Sequence, residues 1–330
     1  MKILKVFALI ILYPVILNSQ TFLTSNPFAH TFSIVARDSI TGEMGVAVQS
    51  HWFAVGTIVS WGEAGVGVVA TQSFVNPSFG PRGLALLKQG LHAKQVLDLL
   101  IESDEGRDYR QLAILDSKGN VAAYTGKLCV DDAGHIEGNN YSAQANMMLN
   151  NTVWKAMSDA FKNSNGNLAD RLVTALEAAQ NAGGDIRGKQ SAAILVVRAE
   201  PTGNIWQDRI VDIRVDDNSE PIKELKRILN VHKAYEYMNN GDLAVEHNDM
   251  DLAMKEYSTA ENMFPDNEEM KYWHAVTLAN IGKVDESLKI FKEVFSKNEN
   301  WITLTPRLIK SKLLTVNKND LAKILNQANK

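Results

Sequence analysis

The spacing of apolar residues changes period along this chain, and the changes divide it into regions. Between Thr31 and Asp38 apolar and polar residues alternate, with many β-branched and aromatic types, which predicts a half-buried strand. Ser39-Ile40-Thr41-Gly42 supplies turn chemistry, and Gly45–Ser50 completes a hairpin. Val55–Trp61 and Gly65–Gln72 predict a second strand pair, with Gly62 and Gly65 flanking its turn. From Pro81 the period becomes helical through Leu84, Leu87 and Leu91, then Val96, Leu99 and Leu100, with a break at Gly90. Arg110–Asp116 and Val121–Thr125 read as a third hairpin, followed by a glycine-rich loop over 133–140. Two helices are expected next, from about Ala145 to Phe161 and from Leu168 to Gln180. Ser191–Arg198 is almost wholly apolar, as in a strand buried on both faces, and Ile205–Val215 is the last strand. Hairpins alternating with helix pairs argue against a parallel doubly wound sheet. They predict an α+β fold in which two antiparallel sheets stack face to face with helices outside each, a four-layer αββα sandwich.

Asp216–Pro221 is polar and turn-rich, and the chain beyond Ile222 reads as helical to its end. That part repeats. At a spacing of 34 residues, Gly241 aligns with Ala275, Asn248 with Gly282, Ala253 with Ser287, Tyr257 with Phe291 and Ala260 with Val294. Small residues where helices cross, and aromatics at matching places, suit stacked helical hairpins. The pattern resembles tetratricopeptide repeats, which implies a surface for a protein or peptide partner. The expected organisation is a signal peptide over 1–19, a spacer over 20–30, a sandwich domain over 31–229 and helical repeats over 230–330.

Lys2 and Lys5 precede an apolar run of about a dozen residues, Val6–Leu17, the length of a secretory h-region and short for a membrane span. Ser19 offers a cleavage point. The expected location is therefore secreted or periplasmic, with no membrane attachment after the signal is removed. A formal charge of −4 gives no basic face for nucleic acid. Cys129 is the only cysteine, so no internal disulfide can form. No His/Asp/Glu spacing suggests a metal, and Gly183–Gly188 lacks the ending of a phosphate-cradling loop, so no cofactor is expected.

Thr31 carries the sharpest candidate chemistry. If it were the first residue of a mature chain, it would hold a hydroxyl and a free α-amine. The amine would take the proton while the hydroxyl attacks a carbonyl. Ser33 lies on the same face two residues on and is the fallback nucleophile. Arg187 and Lys189 sit in a glycine-bounded loop, where a cation near the amine would keep it neutral. Asp185 could orient the amine or end the preceding helix. Gln72, Asn76, Gln144 and Asn146 lie beside strand or helix ends, where amides donate to an oxyanion, hold a substrate amide or tie down loops. His135 could serve as an acid or base. A Cys129–His135 nucleophilic pair is a further arrangement, set against a cysteine that is simply a small buried hydrophobe.

Residues 31–229 resemble the domain of unknown function 1028 family, placed in the Ntn-hydrolase superfamily. The resemblance rests on ordered blocks: Thr31-Phe32-Ser33-Ile34-Val35-Ala36, Ala70-Thr71-Gln72 with Asn76, Gly80-Pro81-Arg82-Gly83-Leu84, Gln144-Ala145-Asn146-Met147 and Gly183–Ser191. It implies the same αββα sandwich and a nucleophilic Thr31, and it supplies no substrate. In many relatives the equivalent threonine directly follows the initiator Met. Here Gln20–His30 would still precede it after signal cleavage, so a second cut is required. The expected function is an exported hydrolase of small linear or cyclic amides with a partner-binding repeat module, with room for a homo-oligomer. The alternative is a non-catalytic ligand-binding protein on the same scaffold.

Overall fold

A computed structural model describes residues 28–329 of the 330-residue chain, so the expected signal peptide lies outside the described residues. The chain divides into two compact units that meet between Ile222 and Lys223. The first is mixed α+β with two antiparallel sheets, and the second is helical.

The first unit opens with β1 (Phe28–Ala29), β2 (Thr31–Arg37) and β3 (Met44–Ser50). A short helix α1 (Gly56–Val59) leads to β4 (Ser60–Glu63) and β5 (Gly67–Phe74). The single strand expected over Val55–Trp61 is thus a turn of helix and then a strand. Gly56 sits where an added Cβ would lie 2.4 Å from the Ala193 Cβ, so the backbone approaches a neighbouring strand too closely for any side chain. Helices α2 (Phe79–Lys88) and α3 (Ala93–Glu102) follow, then β6 (Arg110–Asp116) and β7 (Val121–Thr125). The glycine-rich segment is a hairpin rather than a loop: β8 (Gly134–Gly138) pairs with β9 (Tyr141–Ala145) across a turn that holds Asn140 at φ 64°. This hairpin ends on Ala145, the residue with which a helix was expected to begin. Helix α4 (Val153–Asn163) starts only after Asn150, whose side chain accepts from the Thr152 N–H and hydroxyl. Then come α5 (Leu168–Asn181), β10 (Ser191–Val197), a short α6 (Ile205–Asp208) and β11 (Arg209–Val215).

One sheet runs β1-β5-β6-β7, with β4 paired to the same edge of β5 as β1, and the second runs β11-β10-β3-β2-β9-β8. Strands β2, β3, β5, β6, β9 and β10 are buried on both faces almost throughout, whereas β11 exposes alternate residues. Val35, Val46 and Val48 of one sheet meet Val68, Ala70, Ala113 and Leu115 of the other in a shared core. The outer face of the first sheet, through Val69, Leu112 and Ile114, packs on α2 and α3. The outer face of the second takes α4 and α5. Gly45 there leaves room for Leu172, whose Cδ1 would lie 2.7 Å from a Cβ on that glycine. Burying both faces costs nothing in backbone hydrogen bonds, because the ladders satisfy them.

Cys129 is buried, with its thiol 3.4 Å from the Arg110 carbonyl, and burial pushes its pKa up. His135 bonds Thr125 instead, so no Cys129–His135 pair forms. Thiol reagents should label native protein far more slowly than urea-unfolded protein. Equal rates would show that the thiol is open.

The second unit comprises α7 (Pro221–Glu246), α8 (Met250–Met263), α9 (Glu268–Asn280), α10 (Val284–Lys297) and three shorter helices, α11 (Asn300–Leu304), α12 (Arg307–Lys310) and α13 (Lys318–Leu325). Positions 34 apart occupy equivalent places. Asn248 and Gly282 both adopt left-handed φ, 59° and 83°, in the turns before α8 and α10. Ala253, Ser287, Tyr257, Phe291, Ala260 and Val294 are all buried. Gly241 lies against the Tyr257 ring, 2.8 Å from where its Cβ would be.

Candidate functional site

The space between the sheets is apolar at one end and polar at the other. Val48, Ala70 and Ala113 give way, two residues along the same strand faces, to Ser50, Gln72 and Gln111. The neighbouring strand and segment add Thr31, Ser33, Gln144 and Asn146, and all seven are buried. Burying this much polar surface is costly unless every group is paired.

Most are paired, in one continuous chain. The Ser142 hydroxyl donates to Gln144 Oε1 at 2.9 Å, and Gln144 Nε2 donates to Ser33 Oγ at 2.7 Å. Ser33 Oγ donates in turn to Gln72 Oε1 at 2.6 Å, and Gln72 Nε2 donates to Gln111 Oε1. Asn146 Nδ2 reaches the same Gln111 oxygen at 2.9 Å. Gln111 Nε2 donates to the Ala145 carbonyl at 2.9 Å and Thr125 Oγ1 at 2.8 Å. That hydroxyl also hydrogen-bonds His135 Nδ1, 2.8 Å away. Burial lowers the His135 pKa, against an opposing pull from Glu137, and so favours the neutral ring. A surface cavity of about 410 Å³ lined by Thr125, Cys129, Asp132 and His135 reaches this outer end of the chain.

Thr31 stands at the inner end. Its carbonyl accepts from the Asn146 backbone N–H at 3.0 Å, with Asn146 Nδ2 and Gln72 Nε2 each at 3.5 Å. Its hydroxyl is buried and makes no hydrogen bond. The peptide bond before it is held with equal care. The His30 carbonyl accepts from Arg187 Nη2 at 2.7 Å and from Ser50 Oγ at 2.6 Å. Asp185 fixes that arginine, taking Nη2 at 2.7 Å and Nε at 3.0 Å in a fork while also accepting from the His51 N–H. A cation and a hydroxyl aimed at one carbonyl oxygen polarise it, and they would stabilise an oxyanion formed there. Backbone strain brackets the site. Ser73 and Met147, which follow Gln72 and Asn146, adopt φ 72° and 59°, a region costly for residues with a Cβ.

Several expected residues therefore converge: Thr31, Gln72, Asn146, Asp185 and Arg187 directly, with Gln144 and His135 through intermediaries. Two do not. Lys189 turns away to Glu220, at 2.7 Å, and Asn76 holds Ser78 at the start of α2. Ser33 is committed as both donor and acceptor, which leaves no base for it as a nucleophile. Ser50, Gln111, Thr125 and His30 join the site without having been singled out. Their common mark is a polar residue at the buried parity of a strand or at its end.

The supposed spacer is built in where it is described. β1 pairs with β5 (Phe28↔Phe74, Ala29↔Ser73), and Ala29 and His30 are fully buried. His30 Nδ1 donates to Asn146 Oδ1 at 2.7 Å. Burial lowers its pKa from 6.5, and Arg187 adds to the effect, while the Asn146 bond and Asp185 oppose it. The unfolded chain then binds a proton that the folded chain refuses. The contribution to stability is complete above pH 6.5 and is lost as pH falls toward the lowered folded value. Urea midpoints should drop between pH 7 and pH 5, and His30→Asn should flatten part of that drop. An equal drop in the variant would assign it to other groups.

Residues 31–225 match the Family of unknown function (DUF1028), and the chain belongs to that family. Among solved structures it is similar to protein SPO2555 from Silicibacter pomeroyi, also of DUF1028. The two are 34% identical with a TM-score of 0.56, over 61% of this chain and 85% of that one. Among curated proteins none matches.

Proposed function

We propose that the chain is an exported amide hydrolase of the Ntn type, in which a cut at His30–Thr31 makes Thr31 the first residue and the nucleophile. The observation that carries this reading is the doubly held His30 carbonyl next to a buried Thr31 hydroxyl with no partner. The αββα layering of sheets and helices supports the superfamily likeness.

The chemistry runs in two stages on one set of groups. In the first, Thr31 Oγ1 attacks the His30 carbonyl carbon, and the oxygen becomes an oxyanion facing Arg187 and Ser50. Collapse breaks the C–N bond. The hydroxyl proton ends on the released Thr31 amine, and an ester joins His30 to Thr31 Oγ1. Water hydrolyses the ester, giving a His30 carboxyl group and Thr31 with free amine and hydroxyl. In the second stage the amine takes the hydroxyl proton as Oγ1 attacks a small linear or cyclic amide. The leaving amine collects that proton, and water again releases the acyl group. Arg187 lies beside the new amine and favours its neutral form. The proposed steps use only protein groups and water.

The helical unit would act as a tetratricopeptide-type surface for a protein or peptide partner. A second reading, a non-catalytic binding protein, draws on the tight fit of Ala29 and His30, which suits a chain that stays uncut. Intact mass of exported full-length protein separates the two. A first residue of Thr31 is expected, and a stable terminus at Gln20 would favour the binder.

A further inference from the structure

A nucleophile that cuts its own chain must first be presented with the segment preceding the cut. That segment lies in the site in extended form. β1 runs antiparallel to the end of β5, beside Ser73 and Phe74. Ala29 is fully buried among core residues including Val75 and Ala70, a place that fits a methyl group. The His30 ring stands edge-on to Phe74 at 5.3 Å and gives its Nδ1 proton to Asn146 Oδ1. Asn146 cannot reverse its amide to receive a different group, because its Nδ2 is committed to Gln111 Oε1. The ring position therefore asks for a hydrogen-bond donor and repels a carboxylate.

We infer that the slot filled by Ala29 and His30 is the acyl-side subsite of this enzyme, and that its substrates are peptidyl amides with a small residue followed by a histidine-like ring. This rests on the hydrolase reading for the word substrate, whereas the slot itself rests only on packing and hydrogen bonds. β-Strand addition to β5 would supply main-chain affinity, and the two pockets would supply selectivity. An acyl group bound this way presents its carbonyl oxygen where the His30 carbonyl now sits, between Arg187 and Ser50.

The test uses the full chain carrying Ala29→Asp, in which a buried charge expels the native segment from the slot. Acetyl-Phe-Ala-His-amide, the sequence of residues 28–30, is added, and hydrogen exchange is followed at residues 72–74. Protection by this peptide is expected. Binding should be at least 10-fold weaker for the analogues with Leu in place of Ala, or Asp in place of His. Ala29→Lys is the second variant, should the first fold poorly. Equal protection by all three peptides, or by none, overturns the slot. Protection without cleavage of the matching anilide by cut wild-type chain leaves the slot standing and overturns the hydrolase.

Discussion

Thr31→Ala in the full chain should leave the His30–Thr31 bond intact without limit of time, while Arg187→Gln should slow its cleavage by about 10²–10³-fold. The two variants act on different parts of one step. The first removes the hydroxyl that, on this proposal, attacks the His30 carbonyl carbon through a five-membered ring. The second keeps that atom and removes the charged donor at 2.7 Å from the oxygen on which negative charge develops. Ser50→Ala, losing the donor at 2.6 Å, should cost about 10²-fold. Thr31→Ser should still cut, because a hydroxyl remains. Asp185→Asn gives an intermediate effect by loosening the fork that aims Arg187. Time courses of intact mass read all five. A Thr31→Ala chain that cuts at the same bond would transfer the reaction to an external protease. An unaltered Arg187→Gln rate would reduce that arginine to a structural tie.

Much of the architecture was legible because period is a physical consequence of burial. Residues 31–37 and 44–50 announce a hairpin by alternation, and Ser191–Val197 announces a strand buried on both faces by its lack of polar residues. The failures have a shared origin in tertiary pairing. The segment 133–140 looks like a loop because glycines and polar residues dilute its alternation. It is a hairpin because β2 offers Phe32–Ala36 as a partner for β9. The same holds for the site. A lone Gln in Arg110–Asp116 carries no local signal of function. Only stacking of the two sheets brings Gln111 against Gln72 and Asn146. Lys189 and Asn76 fail in the opposite sense. Proximity in sequence to Arg187 and Gln72 suggested a shared role, but each backbone turns its side chain to a local partner, Glu220 or Ser78. The break at Asp216–Glu220 was visible as a polar run. The division between the units falls between Ile222 and Lys223, close to that run and earlier than the end at 229 expected for the sandwich domain.

Gln111→Leu should be the most damaging single change in the first unit for stability, at about 3–5 kcal/mol, because of what it leaves behind rather than what it removes. Leucine fills nearly the same volume, so the cavity contribution is small. Gln111 Oε1, however, is the common acceptor for Gln72 and Asn146, and its Nε2 serves the Ala145 carbonyl and Thr125. Without it two buried amide donors keep only the Thr31 carbonyl at 3.5 Å, and the Ala145 carbonyl loses its side-chain donor, in a region sealed from water. Each orphan costs about 1–3 kcal/mol. Gln111→Glu separates volume from polarity. Its oxygens still accept from Gln72 and Asn146, but one now confronts the Ala145 carbonyl oxygen, and the charge has no cation within the network. It should destabilise comparably at pH 7 and recover in part when acid protonates it. Asn76→Ala is the contrast, costing only about 1 kcal/mol for the lost turn bonds to Ser78 ahead of α2. Urea unfolding of the full chain followed at both units reads the difference. The transition of the sheet-containing unit should move while that of the helical unit stays put. If Gln111→Leu is as mild as Asn76→Ala, the network is not fully desolvated and water already reaches the groups that Gln111 serves.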